Sequence, residues 1–143
     1  MLCAAEHGCG PAISGAARAW WVRTEQGRLA EAIPTIRRRL AESENVILES
    51  NSILKFVRPD LYLTVLDPAT ADFKQSAQEF LDQADAVILH APKKATNQAA
   101  WTGISLKPIA GRPIFEIRPP EYVTTEMVEL VRGKVSADLK PKA

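Results

Sequence analysis

Apolar and polar positions along this chain come in blocks that switch between the period of a strand and that of a helix. Three short apolar runs stand out: 46–48, closed by Glu49, Ser50, Asn51 and Ser52; 61–66, closed by Asp67 and Pro68; and 86–89, followed by His90. Runs of this length, bounded by turn-forming residues, read as strands buried on both faces, the kind that parallel sheets use. Trp20, Trp21 and Val22 predict an earlier strand. After its start, 113–118 alternates apolar and polar as a half-exposed edge strand would, and Pro119 and Pro120 end it.

Between these runs the period changes. From Gly27 to Ser43 the pattern is helical, with Leu29, Ile33, Ile36 and Leu40 on one face. Pro34 falls inside it, predicting a short turn before the proline and a main helix starting near it. Arg37, Arg38 and Arg39 fall in its last two turns, where cations suit the carbonyl end of the dipole. Ile53, Leu54, Phe56 and Val57 predict a brief helical turn stopped by Arg58 and Pro59. Phe73, Ala77, Phe80, Leu81 and Ala84 predict an amphipathic helix with Asp72 in its first turn or capping it. Thr124 or Thr125 is expected to cap a last helix carrying Met127, Val128, Val131 and Val135 on one side. Residues 91–111 read mostly as loop, with Trp101 and Ile104 docking back on the core. Residues 1–17, interrupted by Gly8, Gly10, Pro11 and Gly15, read as irregular, and 138–143 as a disordered tail.

Strands alternating with helices imply right-handed βαβ units. The expected fold is therefore one α/β domain over 18–137, a mostly parallel sheet with helices on both faces. In such sheets ligands bind beyond the carboxyl ends of the strands, which is where Glu49 and Asp67 are predicted to sit.

Composition narrows the function classes. The chain has 143 residues, 46% apolar and 24% charged, as an ordinary globular protein does. A formal net charge of +1 supplies no field to recruit nucleic acid or an anionic membrane. No apolar stretch approaches the roughly 20 residues of a transmembrane helix. The first residues lack a basic segment followed by an apolar core, so no signal peptide is expected, and the expected compartment is the cytoplasm. Cys3, His7 and Cys9 offer soft ligands, but structural zinc takes four and no later cysteine follows, so a frayed terminus is the expectation.

The order from Trp20, Trp21 and Val22 through a helix to Val46-Ile47-Leu48-Glu49-Ser50-Asn51 and then Pro59-Asp60-Leu61-Tyr62-Leu63 resembles the later part of P-loop NTPases of the molybdopterin-guanine dinucleotide biosynthesis protein B type. The resemblance covers roughly residues 15–92 and rests on short motifs. It implies that Glu49 is the carboxylate near Mg²⁺ and the nucleotide phosphates. It also implies that the strand ending Ile88-Leu89-His90 takes the place of the one that recognises guanine.

Two departures bear on that implication. The family's Gly-x-x-x-x-Gly-Lys-Ser/Thr turn cradles phosphates on backbone N–H groups and a lysine. Residues 8–15 read Gly-Cys-Gly-Pro-Ala-Ile-Ser-Gly, with no lysine and no preceding predicted strand. His90-Ala91-Pro92-Lys93 is likewise not a guanine-specificity motif. The resemblance thus implies a P-loop-NTPase-like domain missing its first strand-loop-helix unit, nucleotide-binding-like for GTP or ATP, with an incomplete or vestigial phosphate site and no catalytic residue expected.

The candidate nucleotide-binding residues are Glu49, Ser50, Asn51, Asp67, His90 and Lys93, with Glu49 and Asp67 as metal ligands and Mg²⁺ as the ion, since hard cations take oxygen ligands. Each has a plainer reading. Ser50 and Asn51 make a strand-to-turn transition, with Asn51 or Ser52 capping the turn that follows, and Asp67-Pro68 starts a turn. His90 is a structural histidine unless a second group joins it, although imidazole chemistry suits acid–base work. Lys93 and Lys94, with Lys107 and Arg112, either meet an anion above the sheet or line a solvated loop. Ser14, Ser50 and Ser105 lack the Gly-x-Ser-x-Gly elbow of serine hydrolases. The alternative, from a different class, is a non-catalytic interaction domain that covers its exposed sheet edges by forming a homodimer.

Overall fold

The computed structural model describes residues 2–4, 18–68, 78–90 and 107–138, with side chains over 18–68, 78–90 and 107–135. The chain divides into two compact units, Met1–Leu48 and Glu49–Ala143. That division falls inside 18–137, which the sequence predicts as one domain.

Among the described residues the first unit holds two short strands and a helix. Strand β1 (Leu2–Ala4) pairs antiparallel with β2 (Trp20–Val22), Cys3 opposite Trp21. β2 forms where Trp20-Trp21-Val22 predicts it, but its partner comes from the stretch read as irregular and the pair makes a sheet of its own. Adjacent strand residues face opposite sides. Trp21 is accordingly 73% exposed, while Trp20 is half-buried with the Arg18 and Arg39 guanidinium carbons 6.0 Å and 5.8 Å from its ring centroid.

Helix α1 (Leu29–Ala41) runs unbroken across Pro34, so the predicted restart there does not occur. Pro34 forfeits one N–H bond to the preceding turn, a real cost in a helix interior. Continuity is favoured because Ile33 and Ile36, on either side of the proline, both bury on the same face. Charges also suit both ends. Arg28 reaches Glu31 at 2.7 Å and Glu25 at 2.9 Å before the first turn, and Arg39 reaches Glu42 at 2.8 Å beyond the last. Glu31 lies in the first turn and Arg38 and Arg39 in the last, each complementing the dipole.

The strand expected over 46–49 is not formed. Residues 46–50 are assigned no regular structure, and Val46, Ile47 and Leu48 are 40%, 98% and 43% exposed. A strand exists only with a neighbour to take its N–H and C=O groups. Among the described residues none pairs with this run.

The second unit is α/β, built on a parallel three-stranded sheet in the order β3 (Leu63–Leu66), β4 (Ala86–His90), β5 (Ile114–Ile117). A 3₁₀ turn, Ser52–Lys55, precedes it and buries Ile53. The expected helix over 73–84 begins outside the described residues. Its described end is helical at Gln78 and Glu79 and closes in the 3₁₀ turn Leu81–Gln83, burying Phe80, Leu81 and Ala84. Trp101, Ile104 and the tail beyond Asp138 also lie outside the described residues.

Register is anchored just before the strands begin. The Tyr62 amide donates to Asp85 Oδ2 at 2.8 Å and the Asp85 amide returns a bond to the Tyr62 carbonyl at 2.8 Å. Leu63 then lies opposite Ala86, and Val87 opposite Ile114. Alternation sends Leu66 and Val87 to one face, where they meet Leu81, Ala84 and Ile109 from two 3₁₀ turns. Ile88 and Ile117 go to the other, where they meet Met127 of helix α2 (Thr125–Asp138). Among the described residues the coverings are thus a helix on one face and 3₁₀ turns on the other. β4, in the centre, is buried on both.

β5 behaves as the predicted edge strand, with Ile114 and Glu116 exposed and Ile117 buried. Thr124 is the expected cap of α2, its hydroxyl accepting from the Met127 amide at 3.3 Å. Of the apolar side predicted for that helix only Met127 is buried; Val128, Val131 and Val135 remain 41%, 40% and 40% exposed. Among the described residues no helix is long and apolar enough to cross a membrane.

Candidate functional site

The register that pairs Leu66 with Leu89 brings the next residue of each strand, Asp67 and His90, to the same level at the carboxyl edge. Parallel pairing also puts both on the α2 face. Asp67 Oδ2 lies 4.0 Å from His90 Nδ1, with the two side chains 41% and 31% exposed. That separation is too long for a direct hydrogen bond and leaves the two polar groups side by side at the strand ends.

A third group completes the edge. After β5 the Pro119–Pro120 peptide is cis, and Arg118 and Glu121 exchange backbone hydrogen bonds of 3.2 Å and 2.8 Å, turning the chain back. Tyr122 follows this turn, 55% exposed, with its ring centroid 6.2 Å from that of His90 and tilted by 44°. One carboxylate, one imidazole and one phenol ring thus share a small patch. Together they offer a hydrogen-bond acceptor, a group that donates or accepts, and two flat apolar faces. Nothing in the sequence pairs Tyr122 with His90. An aromatic two residues after a proline pair is the sole hint.

Glu49, Ser50 and Asn51 lie on chain outside the sheet strands. Glu49 was expected at a strand end, but it and Ser50 are exposed on chain with no ladder, so that placement is corrected. Asn51 takes the N-cap position of the Ser52–Lys55 turn without a side-chain capping bond, and the capping role foreseen for it is not observed. Lys93 and Lys94 lie outside the described residues. Lys107 and Arg112 precede β5 and belong to the amino edge, at the opposite end of the strands from His90; Arg112 Nη2 donates to the Asp82 carbonyl at 3.3 Å. Among the described residues no three His, Cys, Asp or Glu side chains cluster so as to hold a metal ion. The strand order β3-β4-β5 has no reversal among the described strands. No switch-point crevice therefore opens between any two of them, and the Asp67–His90 patch is an open strand edge.

In the first unit an open depression of about 590 Å³ is lined by Val22, Arg23, Glu25, Arg28, Glu31 and Thr35 among others. Its charges balance internally. Hydrogen bonds that Arg28 donates, first to Glu31 and then to Glu25, raise its pKa further above its ordinary range.

No family model, curated protein or solved structure matches this chain.

Proposed function

We propose that the protein is a nucleotide-binding-like module, with GTP or ATP as the ligand class, whose ligand lies across the carboxyl edge of the parallel sheet. The observation that carries this reading is the 4.0 Å approach of Asp67 and His90 at the ends of adjacent parallel strands. The Asp67 carboxylate is suited to accept from a base amino group or a ribose hydroxyl, and the His90 and Tyr122 rings to pack against the base. Kinship to P-loop NTPases that lack the first strand-loop-helix unit belongs to the same proposal. Residues 8–15 contain no lysine. Hold on the phosphates is then weak, and no hydrolytic step is part of the reading. Mg²⁺ arriving with the nucleotide needs only one or two protein carboxylates besides the phosphates. Asp67 is a carboxylate at that edge.

Calorimetric titration with GTP and ATP, with and without Mg²⁺, tests this. Binding is expected, weakened at least tenfold by His90→Ala and by Asp67→Asn. Loss of the Mg²⁺-dependent part alone in Glu49→Ala would return Glu49 to the metal-side role that the family resemblance implies. No binding at millimolar nucleotide overturns the proposal.

A second reading, a non-catalytic domain that self-associates, is favoured by the exposed apolar side chains Ile47, Val65, Ile114 and Val128, which a lone chain leaves to water. Sedimentation over a range of protein concentration checks it, and a homodimer is the expected species.

A further inference from the structure

The run Val46-Ile47-Leu48 has the composition of a strand and, among the described residues, no strand partner. β-branched and apolar residues in an extended run fit a pleated, half-buried surface. Here Ile47 is 98% exposed, and no described strand pairs with it. The sheet of the second unit meanwhile ends in two edges, β3 and β5, each with one side unpaired among the described residues, the β5 edge as far as Glu116, since Arg118 already exchanges backbone bonds with Glu121. Bare edges recruit extended chain, through main-chain hydrogen bonds for affinity and side-chain matching for specificity.

Charge chooses between the two edges. The run is bracketed by Glu44 and Glu49, both exposed. β3 is bracketed by Asp60 and Asp67, which repel those carboxylates. β5 is bracketed by Arg112 and Arg118, both exposed, and Arg118 is 4.0 Å from Glu116 with most of its side chain in water. At about 3.3 Å per residue, Glu44 and Glu49 stand about 17 Å apart in extended chain, and Arg112 and Arg118 about 20 Å. The acidic brackets are opposite in charge to the basic ones and one residue closer together, so one Glu–Arg pair faces at a time.

We infer that residues 45–49 of one copy add as a fourth strand to the β5 edge of a second copy of this chain. The inference rests on the self-association reading and specifies its interface. Each copy carries one donor run and one acceptor edge, so a two-fold pair uses both twice. The addition places Val46, Ile47 and Leu48 against Ile114, Phe115 and Glu116, and Ile47 and Ile114 both lose water contact.

Sedimentation equilibrium of the full chain is the test, with hydrogen exchange of the β5 amides as a second measurement. Ile47→Pro removes an N–H donor at a position outside every regular element, so the fold stays intact by far-ultraviolet circular dichroism. It is expected to weaken the dimer at least tenfold, as is Arg118→Glu. Rescue of Arg118→Glu by Glu49→Arg reads a parallel addition, and rescue by Glu44→Arg an antiparallel one. The 114–117 amides exchange more slowly in the dimer than on dilution. A chain that stays monomeric at high micromolar concentration overturns self-association and this inference together. A dimer unchanged by both Ile47→Pro and Arg118→Glu, with no added protection at β5, overturns this interface alone.

Discussion

Val-Ile-Leu occurs twice in this chain, at 46–48 and at 87–89, and the two copies meet opposite fates. In the first, Val46, Ile47 and Leu48 are 40%, 98% and 43% exposed and carry no ladder. In the second, Val87 and Ile88 are 1% and 9% exposed, at the centre of a parallel sheet. The tripeptide is the same, so its β-propensity does not explain the difference. The second copy has a strand on each side, apolar cover on both faces, and Asp85 just before it tied to Tyr62. The first has Glu44 and Asn45 before it and Glu49, Ser50 and Asn51 after it. Burial belongs to the surroundings, and the exposed copy keeps its capacity to pair.

The contrast is most directly broken at its middle residue. Ile88→Ala removes a side chain packed with Ile117 and Met127 and is expected to cost about 2–5 kcal/mol in urea unfolding. Ile47→Ala at the equivalent place in the other copy should stay within about 0.5 kcal/mol in monomeric protein. Equal costs would mean that the first run is packed in solution.

Asp85 is what the buried copy has and the exposed one lacks. Asp85→Ala leaves the Tyr62 amide without its 2.8 Å acceptor and is expected to cost about 1–3 kcal/mol. An unchanged midpoint would show that the sheet alone holds the register.

The smallest effect concerns the cap that brings Met127 onto Ile88. Thr124→Ala is expected to cost about 1 kcal/mol. The same substitution touches pH dependence, because hydrogen bonds from its own amide and then from Thr124 hold the Glu126 carboxyl below its ordinary 4.5. A depressed folded-state pKa adds stability that is present above the unfolded value and lost as pH falls through the folded one. Thr124→Ala should therefore shrink the acid-side loss, read from unfolding midpoints stepped downward from about pH 5.

Much of the second unit was legible from pattern. The runs at 61–66, 86–89 and 113–118 became β3, β4 and β5 within a few residues, and Thr124 proved to be the cap. The stripe from Leu29 to Leu40 became α1, although Pro34 argued for a break. The site was legible only in part. Asp67 and His90 each stood out as a polar residue closing an apolar run, but their meeting depends on the β3–β4 register, which residues far apart in sequence decide. Tyr122 reaches His90 through a turn after β5 that no periodicity announces. Glu49 stood out for the same reason as Asp67 and lies on no strand, because no described strand beside it completes a ladder.

What the sequence determined by itself is what local chemistry suffices to decide. Helical spacing marks α1, apolar runs mark segments able to be strands, and a threonine before a helical stripe marks its start. Which of those segments pair, in what order, and which carboxylate ends beside which histidine was decided only by tertiary structure. The reason is that backbone N–H and C=O groups must find partners, and in a sheet those partners come from distant chain. Val46-Ile47-Leu48 and Val87-Ile88-Leu89 are the same tripeptide, and among the described residues only the second has strands paired beside it.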